Sequence, residues 1–172
     1  MLLALAAPLP AVDMLYVTLN NNTIVSYDTS SGNAATIAAS VVTFASTNLN
    51  SPFGLAFDSS GNLYAANLSN STISKFDSSG VYQSNITSNL NSPYGLAIDS
   101  SGNLYAANFL GSTISKFNSS GSFLTSWSTG TANPAFLAFK TVSVPEPSTY
   151  ALTAIATGVM AYLARRRKAR TA

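Results

Sequence analysis

Short apolar runs separated by polar turns set the character of this chain from Leu15 to Phe139. Phe53, Leu55 and Phe57 alternate with the small residues Gly54 and Ala56, and Asp58-Ser59-Ser60-Gly61 then turns the chain. Asn62 to Asn67 forms the next run, Thr72 to Phe76 follows, and a second turn at Asp77-Ser78-Ser79-Gly80 leads into Val81 to Ile86. Runs this short, alternating and bounded by Asp, Ser and Gly, predict four strands rather than helices. In such turns an Asp or Asn side-chain oxygen bonds a backbone N–H two residues on, and Gly takes the left-handed position. Five turns share the formula, beginning at Asp28, Asp58, Asp77, Asp99 and Asn118, the first with one extra residue.

The four-strand pattern recurs. NSPFGLAFDSSGNLYAAN at 50–67 returns as NSPYGLAIDSSGNLYAAN at 91–108, and STISKFDSSG from Ser71 returns as STISKFNSSG from Ser112, both displaced by 41 residues. An earlier partial copy runs from Leu15 to Gly32, and a later one, NPAFLAF, from Asn133 to Phe139. A period near 40 means an array of one supersecondary unit, because a single unit cannot bury its own apolar faces. Radial packing of four-stranded units gives a β-propeller. Gly54 and Ala56, with their counterparts Gly95 and Ala97, suit the crowded first strand near a central axis. The expected fold is therefore all-β, a partial propeller of about three four-stranded blades over residues 13–140, with Pro134 to Phe139 completing the first blade. Three blades leave two open sides. Either two chains pair into a six-bladed ring, or the chain is a fragment or a decayed gene product.

The phrases Pro52-Phe53-Gly54-Leu55-Ala56-Phe57-Asp58, Gly61-Asn62-Leu63-Tyr64-Ala65-Ala66-Asn67 and Ile73-Ser74-Lys75-Phe76 resemble those of NHL/TolB-like and gluconolactonase-like propellers. The resemblance runs from about Leu15 to Phe139, with Asn67 and Asn108 standing where the family phrase usually has Asp. Gluconolactonase-like propellers hold a divalent metal through Glu, Asn and Asp, which makes a degenerate metal-dependent sugar-lactone hydrolase the alternative reading. The departure is chemical: the only Glu of this chain, Glu146, lies outside the repeats.

Hydrophobicity changes character at the end. Tyr150 to Ala164 is apolar and is followed by Arg165, Arg166, Arg167, Lys168 and Arg170. As a helix these fifteen residues rise about 22 Å, short of the roughly 20 residues usual for a membrane span. The basic cluster favours a transmembrane helix at 150–164 with its charges on the cytoplasmic side and the repeats outside. It is the only helix expected after the N-terminus. Val144-Pro145-Glu146-Pro147-Ser148 precedes it, and two prolines keep that segment extended. The whole cassette, 144–170, resembles the PEP-CTERM sorting signal of Gram-negative bacteria that make exopolysaccharide. In that family a membrane-embedded exosortase recognises and processes the Pro-Glu-Pro segment, while helix and basic cluster hold the substrate in the inner membrane. The same kind of tail is also known as an ice-binding protein C-terminal segment, a label that implies no ice binding. At the other end, MLLALAAPLPA (residues 1–11) has the apolar core and small-residue end of a secretory leader but no basic start, and is expected to be a truncated signal peptide.

Composition narrows the chemistry. Only 8% of the 172 residues are charged, and polarity comes from Ser, Thr and Asn. The pI of about 9.0 reflects the tail, which carries five of the eight basic residues. From Asp13 to Val144 three lysines face five aspartates, a net charge of −2, so there is no basic face for nucleic acid. There is no His and no Cys, and the isolated Asp residues offer little for acid–base catalysis. Each turn offers one carboxylate, which favours structural capping over calcium binding. No catalytic residue, metal site or cofactor is therefore expected. Asn67, Asn70 and Asn108, between second and third strands, are the candidate ligand-facing residues, and Tyr64, Tyr82, Tyr105 and Trp127 are either groove lining or core. The expectation is a non-enzymatic exported protein of the cell surface or biofilm matrix, binding a glycan or a protein, with an exosortase and the membrane as partners of its tail.

Overall fold

The computed structural model describes residues 12–130 and 133–140. The leader expected at 1–11 and the cassette at 144–170, with its motif, helix and basic cluster, lie outside the described residues. The strands belong to one unit that ends at Phe139; Lys140 begins another.

Among the described residues eleven strands form three antiparallel sheets, designated blades 1 to 3. Blade 1 holds β1 (Met14–Leu19), β2 (Thr23–Asp28) and β3 (Val42–Ala45). Blade 2 runs β4 (Pro52–Phe57), β5 (Leu63–Asn67), β6 (Thr72–Phe76) and β7 (Tyr82–Ile86). Blade 3 repeats it with β8 (Pro93–Ile98), β9 (Leu104–Asn108), β10 (Thr113–Phe117) and β11 (Phe123–Ser128). In each sheet consecutive strands are neighbours, as hairpin connections require. Register repeats too: Ala56 lies opposite Tyr64 and Ala97 opposite Tyr105.

The turns close as their chemistry dictates. Asp58 Oδ1 accepts from the N–H groups of Ser60 and Asn62, both at 2.9 Å, and Gly61 N donates to the Asp58 carbonyl at 3.0 Å. Gly61 has φ +79°, a conformation that any side chain would strain. Asp77, Asp99 and Asn118 repeat this arrangement.

Apolar residues on facing sheet surfaces fill two inter-blade cores. Ile24 and Ala45 of blade 1 pack with Leu63, Ala65 and Phe76 of blade 2. The opposite face of blade 2, Tyr64, Ala66, Ile73 and Ile86, packs with Leu96, Leu104, Ala106 and Phe117 of blade 3. Full burial of Phe76 and Phe117 contributes roughly 1.5–3 kcal/mol each. First strands approach so closely that a Cβ on Gly54 would press into the Tyr94 carbonyl oxygen and lie 2.9 Å from Gly95 Cα.

Two expectations are corrected. Pro134 to Phe139 is not a strand and does not complete blade 1, which has three strands. Instead Gly95 faces the carbonyl of Ala135 and Cα of Phe136, just as Gly54 faces Tyr94 and Gly95. The terminal segment thus lies beyond β8, one repeat further on, rather than alongside β1. The second correction is a helix, α1 (Ala34–Ala39), between β2 and β3. Asn33 caps it, its Oδ1 accepting from Ala35 N at 3.0 Å and Thr36 N at 3.3 Å. Six residues with no buried side chain are too short to carry a legible helical period.

Candidate functional site

The loops between second and third strands are built around buried asparagines. Asn67 ends β5 and Asn108 ends β9, with 0% and 2% of their surfaces exposed. Asn67 Oδ1 accepts from Asn50 N at 3.0 Å, while Nδ2 donates to Thr72 Oγ1 at 3.0 Å and to Ser74 Oγ at 2.8 Å. Ser74 Oγ in turn bonds the Asn48 carbonyl. Asn108 repeats the arrangement with Asn91, Thr113 and Ser115. Neither residue is ligand-facing, which corrects that expectation: both amides are buried and spend their donors and acceptor on holding the incoming loop to the strand pair. Asn70 is exposed, its Oδ1 accepting from Thr72 Oγ1 at 3.0 Å.

Charged groups are gathered into two copies of one cluster. Asp99 Oδ2 accepts from Asn103 Nδ2 at 2.9 Å and from the Tyr105 hydroxyl at 3.0 Å, and lies 4.0 Å from Lys116 Nζ. Lys116 also sits 5.1 Å from the centre of the Tyr105 ring. Burial pushes the Asp99 carboxyl up, but hydrogen bonds from Asn103, Tyr105 and Ser101 outweigh it and lower the pKa to about 2. Interaction with the Tyr105 hydroxyl raises Lys116; burial opposes it, and the Tyr105 and Asp99 charges add to the rise. Asp58, Tyr64 and Lys75 form the equivalent set. These carboxylates are fixed by the protein's own donors, as capping requires. Among the described residues no three His, Cys, Asp or Glu side chains converge to hold a metal.

The four candidate aromatic residues divide into two groups. Tyr64 is 5% exposed and Tyr82 packs edge-on to Phe76 at 6.1 Å, so both belong to the cores. Tyr105 and Trp127, 6.2 Å apart, lie on the outer face of blade 3 beside a cavity of about 160 Å³ also lined by Phe139. A third set was not legible as a group in the sequence: Phe53 and Tyr94 stack at 4.4 Å, with Phe136 and Phe109 5.4 and 5.6 Å from Tyr94. Phe53, Tyr94 and Phe136 come from successive repeats and meet because first strands converge, while Phe109 reaches Tyr94 from the end of β9 in the same blade; the equal spacing of Phe53 and Tyr94 was the available signal. Phe53 also borders an open axial space of about 380 Å³, with Thr18, Leu55, Leu96 and Phe136.

Residues 143–168 match the PEP-CTERM protein-sorting motif. The motif marks an exported protein and implies recognition by an exosortase. No curated protein matches the chain. Among solved structures, the chain is similar to one in the nidogen/laminin complex, with 20% identity and a TM-score of 0.60 over 73% of this chain and 48% of that one. A streptogramin B lyase aligns at 16% identity and TM-score 0.55 over the same shares. Virginiamycin B lyase from Staphylococcus aureus aligns at 20% identity and TM-score 0.54, over 68% of this chain and 38% of that one. The chain spans less than half the length of these structures, and at such identity the likeness establishes the propeller-type fold alone. No helix among the described residues is long and apolar enough to cross a membrane.

Proposed function

We propose that this chain is an exported surface or matrix protein, held by its tail in the inner membrane with its repeats outside until an exosortase processes it. Its propeller-type module binds a glycan or a protein, or serves as scaffold, without catalysing a reaction. Two copies complete one ring. The sorting motif at 143–168 carries this reading. Supporting it, the carboxylates of Asp58 and Asp99 are committed to turn donors and a lysine, and an acid–base role needs a group free to exchange a proton with substrate.

The test is sorting in a cell that makes an exosortase. Wild-type chain should reach the surface or medium, whereas Glu146→Ala and deletion of 165–170 should leave it in the inner-membrane fraction. Unaltered surface display of both variants would refute the sorting reading. Metal analysis of the purified chain addresses the rival: stoichiometric calcium or zinc together with lactone turnover would establish the hydrolase instead.

A further inference from the structure

Each blade has a face that receives the preceding blade and a face that presents to the next. Leu63, Ala65 and Phe76 receive blade 1, and Leu104, Ala106 and Phe117 receive blade 2. The repeat places Leu15, Val17 and Tyr27 at these positions in blade 1, where no described blade precedes them, and Leu15 is 52% exposed. At the other end, Tyr105 and Ile114 of blade 3 stand where Tyr64 and Ile73 present to blade 3. No described blade follows: the terminal segment covers part of this face, Ile114 being 7% exposed, and Trp127 beside it is 45% exposed. The two uncovered faces are therefore the two halves of the interface that the molecule already makes twice.

The strand edges are complementary in the same way. Among the described residues β1 stands at the edge of blade 1 with no first strand beside it. Pro134 to Phe139 has a first-strand sequence and already occupies that position relative to blade 3. Phe139 meets Tyr105 at 4.8 Å and 67°, as Phe57 meets Tyr16 at 4.8 Å and 67°. Among the described residues it has no second strand to pair with, and Phe136 is 79% exposed. An unpaired edge and an unpaired strand of matching sequence are the components of strand addition.

Building on the paired-arc reading above, we propose that the terminal segment of one copy pairs antiparallel with β1 of a second, and that the exchange is reciprocal. Blades 2 and 3 fix the register: Leu55 lies opposite Ala65 and Phe57 opposite Leu63, so Leu137 lies opposite Val17 and Phe139 opposite Leu15. The uncovered face of blade 3 then closes on the uncovered face of blade 1 of the second copy, a self-complementary contact under two-fold symmetry.

Because the chain has no cysteine, introduced cysteines report the contact directly. Two full-length chains with different tags, one carrying Val17→Cys and the other Leu137→Cys, are co-expressed and oxidised in the membrane. The expected product is a disulfide-linked species of twice the mass bearing both tags, reproduced by Leu15→Cys with Phe139→Cys and absent for Val81→Cys with Leu137→Cys. If neither designed pair links while light scattering of the detergent-solubilised wild type reports a dimer, strand exchange is overturned and the paired arcs stand. A wild-type monomer, or a single-mass species closed by an internal disulfide when Val17→Cys and Leu137→Cys share one chain, overturns both.

Discussion

An asparagine at 0% exposure is costly unless each of its polar atoms is paired, and at Asn67 the pairing defines the residue's work. Asn67→Ala would take the acceptor from the N–H of Asn50 and the donor from the hydroxyls of Thr72 and Ser74. The expected loss is about 2–3 kcal/mol, read as a lower urea midpoint; an unchanged midpoint would show that water replaces the amide. The aspartates are exposed enough to act through pH instead. Asp99 has a folded pKa of about 2 against an ordinary 3.8. Its contribution is thus complete above pH 4 and is lost as pH falls toward 2, and the lowered values of Asp28 and Asp58 act with the same sign. Asp99→Asn should lower the melting temperature at pH 7, with the gap to wild type closing between pH 4 and pH 2. A gap constant over that range would mean that the carboxylate's charge contributes nothing.

At the first strands of neighbouring blades glycine permits backbone to meet backbone. A Cβ on Gly95 would strike the Ala135 carbonyl and lie 2.9 Å from Phe136 Cα, and backbone cannot yield as a flexible side chain can. Gly95→Ala should therefore destabilise by about 1–3 kcal/mol, whereas Ala97→Gly, which adds no atom, should not produce this clash. Equal melting temperatures for Gly95→Ala and wild type would show that the terminal segment does not pack there. At this scale the sequence is most legible: alternation and Asp-Ser-Ser-Gly turns place the strands of blades 2 and 3 within about a residue, because local backbone chemistry determines both. The asparagine loops were less so. Asn67 and Asn108 are polar residues beside turn formers, and only their partners at 50, 74, 91 and 115, distant in sequence or across a hairpin, reveal that they are buried. The placement of Pro134 to Phe139 was illegible for a related reason: the repeat identifies it as a first strand but cannot say which neighbour it joins.

At the scale of the whole molecule, charge divides the chain into two parts. The repeats from Asp13 to Val144 carry a net charge of −2, while Arg165, Arg166, Arg167, Lys168 and Arg170 set the pI of about 9.0. A sorting signal with a polar spacer and a removable apolar end discards exactly such a cluster on processing. Processing near Pro145-Glu146-Pro147 would therefore convert a basic membrane-held precursor into an acidic product, since no arginine lies elsewhere in the chain. Isoelectric focusing of the protein from exosortase-containing cells should show this acidic form, and cells lacking the enzyme should retain only the basic one. A surface-displayed form that still focuses near pH 9 would mean that the tail is kept as a permanent anchor. The same shift bears on assembly, because like-charged products repel weakly through about 8 Å of screened solvent at physiological salt. Two acidic arcs can join only if apolar blade faces and strand pairing outweigh that repulsion, so any released dimer should tighten as salt is raised. The opposite salt dependence would point to ion pairing between copies, for which the repeats offer only three lysines, two of them already beside Asp58 and Asp99.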